Sequence, residues 1–171
     1  MPYAATPLIV TLSLDDGAQA HFDALRRAHF PADRLVVGAH VTLFHAIPPD
    51  EEGALSAMLA ATARHTPPLD VRVSGVRFLG RGVAFTLDCP PLLPLRAILR
   101  QALHERLTPQ DRHAWSPHVT VQNKVAPETA RALAASLAAG FSPMTITGTG
   151  LALWRYRGGP WEQTRSFAFT G

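Results

Sequence analysis

Cysteine is nearly absent: Cys89 is the only one in 171 residues. A lone cysteine forms no internal disulfide and cannot build a thiolate zinc cage. A reducing, cytoplasmic setting is therefore expected. Lysine is equally scarce, with Lys124 alone, so arginine supplies almost all of the positive charge behind the formal net charge of +3. That modest excess favours anionic ligands, but it forms no basic tail or like-charged block of the kind that grips nucleic acid nonspecifically. Charged residues are only 17% of the chain, yet hydrophobic residues are 47%, which excludes a disordered polar chain. No apolar run reaches the ~18 residues of a membrane span. Met1 to Val10 carries no basic leader region. Cys89, in Thr86-Leu87-Asp88-Cys89-Pro90, reads as a small apolar filler at a strand end.

Hydrophobic spacing orders the rest. Leu8 to Leu14 reads as a buried strand, followed by a helix over 16–29 that Asp15-Asp16 start and Pro31 ends. A strand is expected over His40–Ala46. Pro48-Pro49-Asp50 then open a helix to about His65. Leu69–Leu79 and Val83–Leu87 read as strands joined through Gly80-Arg81-Gly82. A helix over 92–107, a strand over 118–125, a helix from Pro127 to Gly140, and a closing hairpin over 144–156 and 162–169 complete the chain. Two β-α-β-β units emerge, near 40–88 and 118–170, with no linker between them. They predict one α+β domain over residues 1–171. It would be bilobal and pseudo-twofold, with two mostly antiparallel sheets lining a central cleft and helices outside.

Both units open on the same tripeptide. Gly38-Ala39-His40-Val41-Thr42-Leu43-Phe44 and Ser116-Pro117-His118-Val119-Thr120-Val121-Gln122 each contain His-Val-Thr followed by an aliphatic residue. From the composition, one His-Val-Thr is expected only ~0.04 times by chance, so two in matching places are no accident. Side chains alternate along a strand, which puts His40 with Thr42, and His118 with Thr120, on one face. The aliphatic residues between them belong in the core, so the His/Thr faces must look into the cleft. Two imidazoles and two hydroxyls suit phosphodiester chemistry without a metal. One neutral histidine takes a proton from the nucleophile and the protonated one gives a proton to the leaving oxygen. The hydroxyls donate to non-bridging oxygens as charge builds there.

These motifs and their spacing resemble the two-histidine (2H) phosphoesterase superfamily, and most of all the bacterial 2′-5′ RNA ligase family. The resemblance extends through Pro117-His118-Val119-Thr120-Val121-Gln122-Asn123-Lys124-Val125 and the closing Leu153-Trp154-Arg155-Tyr156 and Gly159-Pro160-Trp161-Glu162. It implies a bilobal fold and hydrolysis, or reversible ligation, of RNA ends carrying 2′,3′-cyclic phosphate or 2′-5′ linkages. No metal or nucleotide cofactor is implied. By motif match His40 and His118 take the acid and base roles, in an order the sequence leaves open, and Thr42 and Thr120 bind phosphate. The expected partner is an RNA terminus or a nucleotide-derived cyclic phosphate, with no membrane and no obligate protein partner. A non-hydrolytic binder of RNA ends or nucleotides is the alternative from another class.

One departure matters. Better-known members often carry an arginine just after a His-x-Thr motif, whereas here Phe44-His45 and Gln122-Asn123 follow. If the strands stay regular, Phe44, Gln122 and Lys124 continue the His/Thr face. Lys124 is then the replacement cation, and Phe44 stacks a base or walls the cleft. On the same condition His45 points off that face. Tyr156 is a candidate cleft residue, while Trp154 and Trp161 are expected to be packing. His113 could overhang the cleft. His21, His29, His65 and His104 fall on helices, and no histidine pair has convincing metal spacing.

Overall fold

A computed structural model describes residues 6–171. The N-terminal stretch read as lacking a leader therefore falls partly outside the described residues. Among the described residues seven strands form: β1 (Leu8–Leu14), β2 (Val41–Ile47), β3 (Leu69–Phe78), β4 (Val83–Asp88), β5 (His118–Gln122), β6 (Met144–Tyr156) and β7 (Trp161–Ala168). Five helices accompany them: α1 (Asp16–His29), α2 (Glu52–Arg64), α3 (Leu92–Leu103), the single turn α4 (Pro109–Arg112) and α5 (Pro127–Ala139). Most boundaries lie within a residue or two of the expected ones. Asp15 caps α1 through its side chain, which accepts from the Ala18 amide at 2.9 Å. The expected third helix ends early, its last turn continuing as a short 3-10 segment at His104–Arg106.

All strand pairs are antiparallel, and the path runs β2-β1-β6-β3-β4-β5, with β7 on β6. Exchanging β1 with β4, β2 with β5 and β3 with β6 reverses this order and leaves it unchanged. That is the signature of a pseudo-twofold passing between β6 and β3. Where two sheets were expected, one seven-stranded sheet forms, and the long β6 joins its two halves, pairing β3 at its start and β7 at its end while β1 lines its other edge. The histidine strands sit at opposite ends of the path, and the sheet curls until β2 and β5 touch.

Pairing is exchanged between the halves. β5 lies beside β4, and β2 beside β1, so neither histidine strand pairs with the hairpin that follows it in sequence. The helices cross over too: α1 packs on β5, α2 on β6 and β7, and α5 on β3 and β4. Leu8, Val10, Leu12 and Leu14 of β1 and Val83, Phe85 and Leu87 of β4 form the helix-covered core face. By alternation Thr11, Ala84 and Thr86 belong to the opposite face. No helix among the described residues is long and apolar enough to cross a membrane.

Candidate active site

Alternation places the histidines as expected at first. Val41, Leu43, Val119 and Val121 are fully buried, while His40, Thr42, His118 and Thr120 are half-buried on the other face. Each imidazole is held in the same way. The Nδ1 of His40 lies 2.8 Å from the Gly38 carbonyl oxygen, and that of His118 lies 3.0 Å from the Ser116 carbonyl oxygen. A carbonyl only accepts, so each Nδ1 carries a proton and each Nε2 is the nitrogen left to exchange one with a substrate.

Beyond the threonines the alternation breaks, and it breaks identically in both halves. Thr11 faces Thr42 but Val10 faces Phe44, so Leu43 is an extra residue in β2. Ala84 faces Thr120 but Val83 faces Gln122, so Val121 is an extra residue in β5. Each bulge rotates the next side chain onto the core face. Phe44 is therefore fully buried, with the Arg96 guanidinium 4.7 Å from its ring centre; it neither stacks a base nor walls the cleft. Gln122 is likewise buried, at 4% exposure, and does not continue the His/Thr face. Gly82 permits this close approach, because a Cβ there would sit 2.0 Å from the Gln122 carbonyl oxygen.

Lys124 does not extend the face either. β5 ends at Gln122, and Lys124 takes a positive φ of 62° that turns the chain away from strand geometry. Its exposed side chain lies beyond the strand end, near the β3–β4 turn, where the Val125 amide donates to the Arg81 carbonyl at 3.1 Å. Tyr156 is exposed at the end of β6, and alternation puts it on the face of Trp154. His45 is exposed, and its Nδ1 meets Asp111 at 3.1 Å. Among the described residues, no three His, Cys, Asp or Glu side chains gather as a metal-binding group.

Several neighbours escaped the sequence reading. Trp161, expected to be mere packing, tilts against His40 with ring centres 4.5 Å apart, and Trp154 meets Trp161 edge-on. A pocket of about 280 Å³ opens beside His40, lined in part by Thr11, Ser13, Gln19, Trp154 and Gln163. Thr86 faces His118 directly across β4 and β5. Two arginines tie the halves together from within. Arg26 of α1 donates to the Thr120 carbonyl at 2.7 Å and to the Val37 carbonyl at 3.1 Å. Arg96 of α3 donates to the Leu43 carbonyl at 2.8 Å and to the Asp111 carbonyl at 2.9 Å. Both are almost wholly buried, so each half's helix grips the other half's histidine strand. The apolar spacing of α1 and α3 puts these arginines on buried stripes, which was a usable signal.

The electrostatics are uneven. Burial pushes His40 down from 6.5 to about 4, with Arg26, His45 and His118 adding to the effect against the opposing Gly38 hydrogen bond. His40 is therefore neutral at pH 7. Replacing Trp161 by alanine lets water reach this imidazole. The His40 midpoint, followed by NMR, is then expected to rise from about 4 toward 6.5. An unmoved midpoint would mean that other groups impose the desolvation. The sign for stability follows: the unfolded chain binds a proton at His40 near 6.5 and the folded one only near 4, so this contribution is whole above 6.5 and is lost as pH falls through 4.

Known proteins share this fold. TT0787 of Thermus thermophilus has a similar structure, with 20% identity and a TM-score of 0.71, over 96% of this chain and 98% of its own. LigT of E. coli complexed with 3′-AMP aligns at 19% identity and a TM-score of 0.66, over 98% of this chain and 99% of its own. The complex of the same protein with phosphate aligns at 20% identity and a TM-score of 0.62, with the same coverage. At these identities the likeness speaks for the fold. No curated protein sequence matches the chain. The model of one family, the 2′-5′ RNA ligase superfamily, matches residues 14–160, and on that match the chain belongs to the 2′-5′ RNA ligase superfamily.

Proposed function

We propose that this protein is a metal-independent phosphodiesterase that opens a 2′,3′-cyclic phosphate on an RNA end or a small nucleotide. The observation that carries the reading is the duplicated setting of His40 and His118. Each ring is fixed through Nδ1 by the carbonyl two residues earlier, and each presents Nε2 on the face of a threonine. The superfamily match and the binding of 3′-AMP and of phosphate by the structurally similar LigT support a phosphate-handling site.

In the hydrolytic direction one Nε2 accepts a proton from water as its oxygen attacks phosphorus in line. The bond from phosphorus to one ribose oxygen breaks, and the other histidine gives that oxygen its proton. The hydroxyls of Thr42 and Thr120 donate to the non-bridging oxygens, where charge grows in the transition state. His40, neutral in the free protein, is suited to the accepting role, and His118 then supplies the proton. The base must be unprotonated to work, so the acid limb of kcat/KM is expected near pH 4. Ligation follows the same path with a ribose hydroxyl attacking phosphorus in place of water, and its reverse returns the cyclic phosphate and the free hydroxyl.

The test is turnover of nucleoside 2′,3′-cyclic phosphates, and of a short RNA ending in one, in excess EDTA. The expected result is chelator-resistant hydrolysis of at least one. A phosphodiester with a p-nitrophenolate leaving group separates the roles. That group departs without a proton, so His118→Ala should lose far less on it than His40→Ala. Tight, salt-sensitive binding of both cyclic phosphates with no turnover would overturn the hydrolytic reading in favour of a binding protein.

A further inference from the structure

The two halves of the site differ three strands in from the curl's edge. On the His118 side, Thr120 of β5 lies opposite Ala84 of β4, and Ala84 lies opposite Arg77 of β3. Residues directly opposite on paired strands share a face, so Thr120, Ala84 and Arg77 form a row across the cleft face. Two inter-strand spacings, about 9.6 Å, separate the ends of that row. Ala84 between them is small and wholly covered, so the side chains around it close over this part of the row. On the His40 side the equivalent row runs Thr42, Thr11, Ala152. An alanine stands where Arg77 would be, and the 280 Å³ pocket with Trp154 and Gln163 opens there instead.

Arg77 is also the available cation. It is exposed and has no carboxylate partner among the described residues. Arg106, Arg155 and Arg157 are each engaged with carboxylates, and Arg72, the other β3 arginine on this face, lies directly opposite Asp88. The sequence offered no cation just after either histidine motif, and Lys124, the expected substitute, lies off the face.

We propose that Arg77 binds a second phosphate of the substrate, next to the one held between Thr42 and Thr120. This rests on reading the site as a phosphodiester site, and it adds the class of substrate: a nucleotide carrying at least two phosphates. The second phosphate is either an internucleotide phosphodiester of an RNA end or a 5′-phosphate on a single nucleotide. An exposed guanidinium takes either through charge-assisted hydrogen bonds.

The experiment is equilibrium binding by calorimetry, which needs no turnover. The probes are a nucleoside 3′-phosphate, a dinucleotide 3′-phosphate and a nucleoside 3′,5′-bisphosphate, each with wild type and Arg77→Gln. Wild type is expected to bind at least one two-phosphate probe about tenfold more tightly than the nucleoside 3′-phosphate. Arg77→Gln should abolish that advantage, leave the one-phosphate probe within about twofold, and flatten the salt slope by about 0.7. Arg77→Lys should restore part of the advantage. Whichever two-phosphate probe loses affinity identifies the source of the second phosphate. Equal affinity of wild type for all three probes would overturn the proposal, as would an equal loss on all three in Arg77→Gln. Turnover of the matching cyclic phosphates, measured in parallel, separates the two readings: Arg77-dependent binding without hydrolysis counts against the phosphodiesterase reading alone.

Discussion

His40→Ala and His118→Ala are each expected to lower kcat by about 10²–10⁴-fold, with the protein still folded. Both imidazoles lie half-buried on the cleft face, each bonded to the carbonyl two residues earlier, and His40 packs on Trp161. Their loss removes a proton acceptor or a proton donor and leaves the Thr42 and Thr120 hydroxyls in place. The double variant should be little worse than the worse single one, because groups that act in one transition state are strongly non-additive. The assay is cyclic phosphate hydrolysis in EDTA, with circular dichroism to check the fold. Substantial turnover in the double variant would remove the proposed chemistry altogether.

Asp111→Ala is expected to cost the largest share of stability of any single change near the site. Asp111 is wholly buried. Its carboxylate accepts the His45 amide at 2.9 and 3.0 Å, the Ala46 amide at 3.0 Å and the His45 Nδ1 at 3.1 Å. β2 is an end strand, so those amides have no strand partner to fall back on. An orphaned buried donor costs about 1–3 kcal/mol, so two of them predict a loss of about 2–6 kcal/mol. That is much of the ~5–15 kcal/mol a domain of ordinary stability has. Asp111→Asn keeps one acceptor and should fall between. Urea unfolding measures both, and an unchanged midpoint for Asp111→Ala would mean that water fully replaces the carboxylate.

The same carboxylate predicts an acid sensitivity. Burial alone would raise its pKa, but the hydrogen bonds from the His45 side chain and from the His45 and Ala46 amides outweigh it and hold the group below its ordinary 3.8. Its stabilisation is therefore complete above 3.8 and is lost as pH falls through the lower folded value. His40 acts over a higher window, between 6.5 and 4. Stability should fall in two stages on acidification, and the lower stage should shrink in Asp111→Ala, leaving the share of Asp15, whose carboxylate the Ala18 and Thr147 amides also hold below its ordinary value.

Local sequence determined the element types and the first two cleft-facing residues of each histidine strand. Apolar alternation is a property of neighbours in the chain, so β1, β6 and α1 could be read to the residue, and His40 with Thr42 and His118 with Thr120 followed from the aliphatic residues between them. The short α4 was not foreseen, although its cap is local: the Thr108 side chain accepts from the Asp111 amide at 3.3 Å. What that aspartate then holds could not be read, because its partners lie 65 and 66 residues away.

Tertiary structure decided the rest. A bulge exists only relative to a partner strand, so the rotation of Phe44 and Gln122 into the core was set by β1 and β4, not by their own neighbours. The exchange of strands between the halves placed Trp161 against His40 and bound Arg26 to Thr120, contacts 121 and 94 residues apart in the chain. Arg77 reached the cleft face only because β3 pairs β4 and β4 pairs β5. The sequence by itself specified which side chains could do the chemistry. The curled sheet specified which of them share a face, because register between strands is settled by packing at long range and leaves no mark in local periodicity.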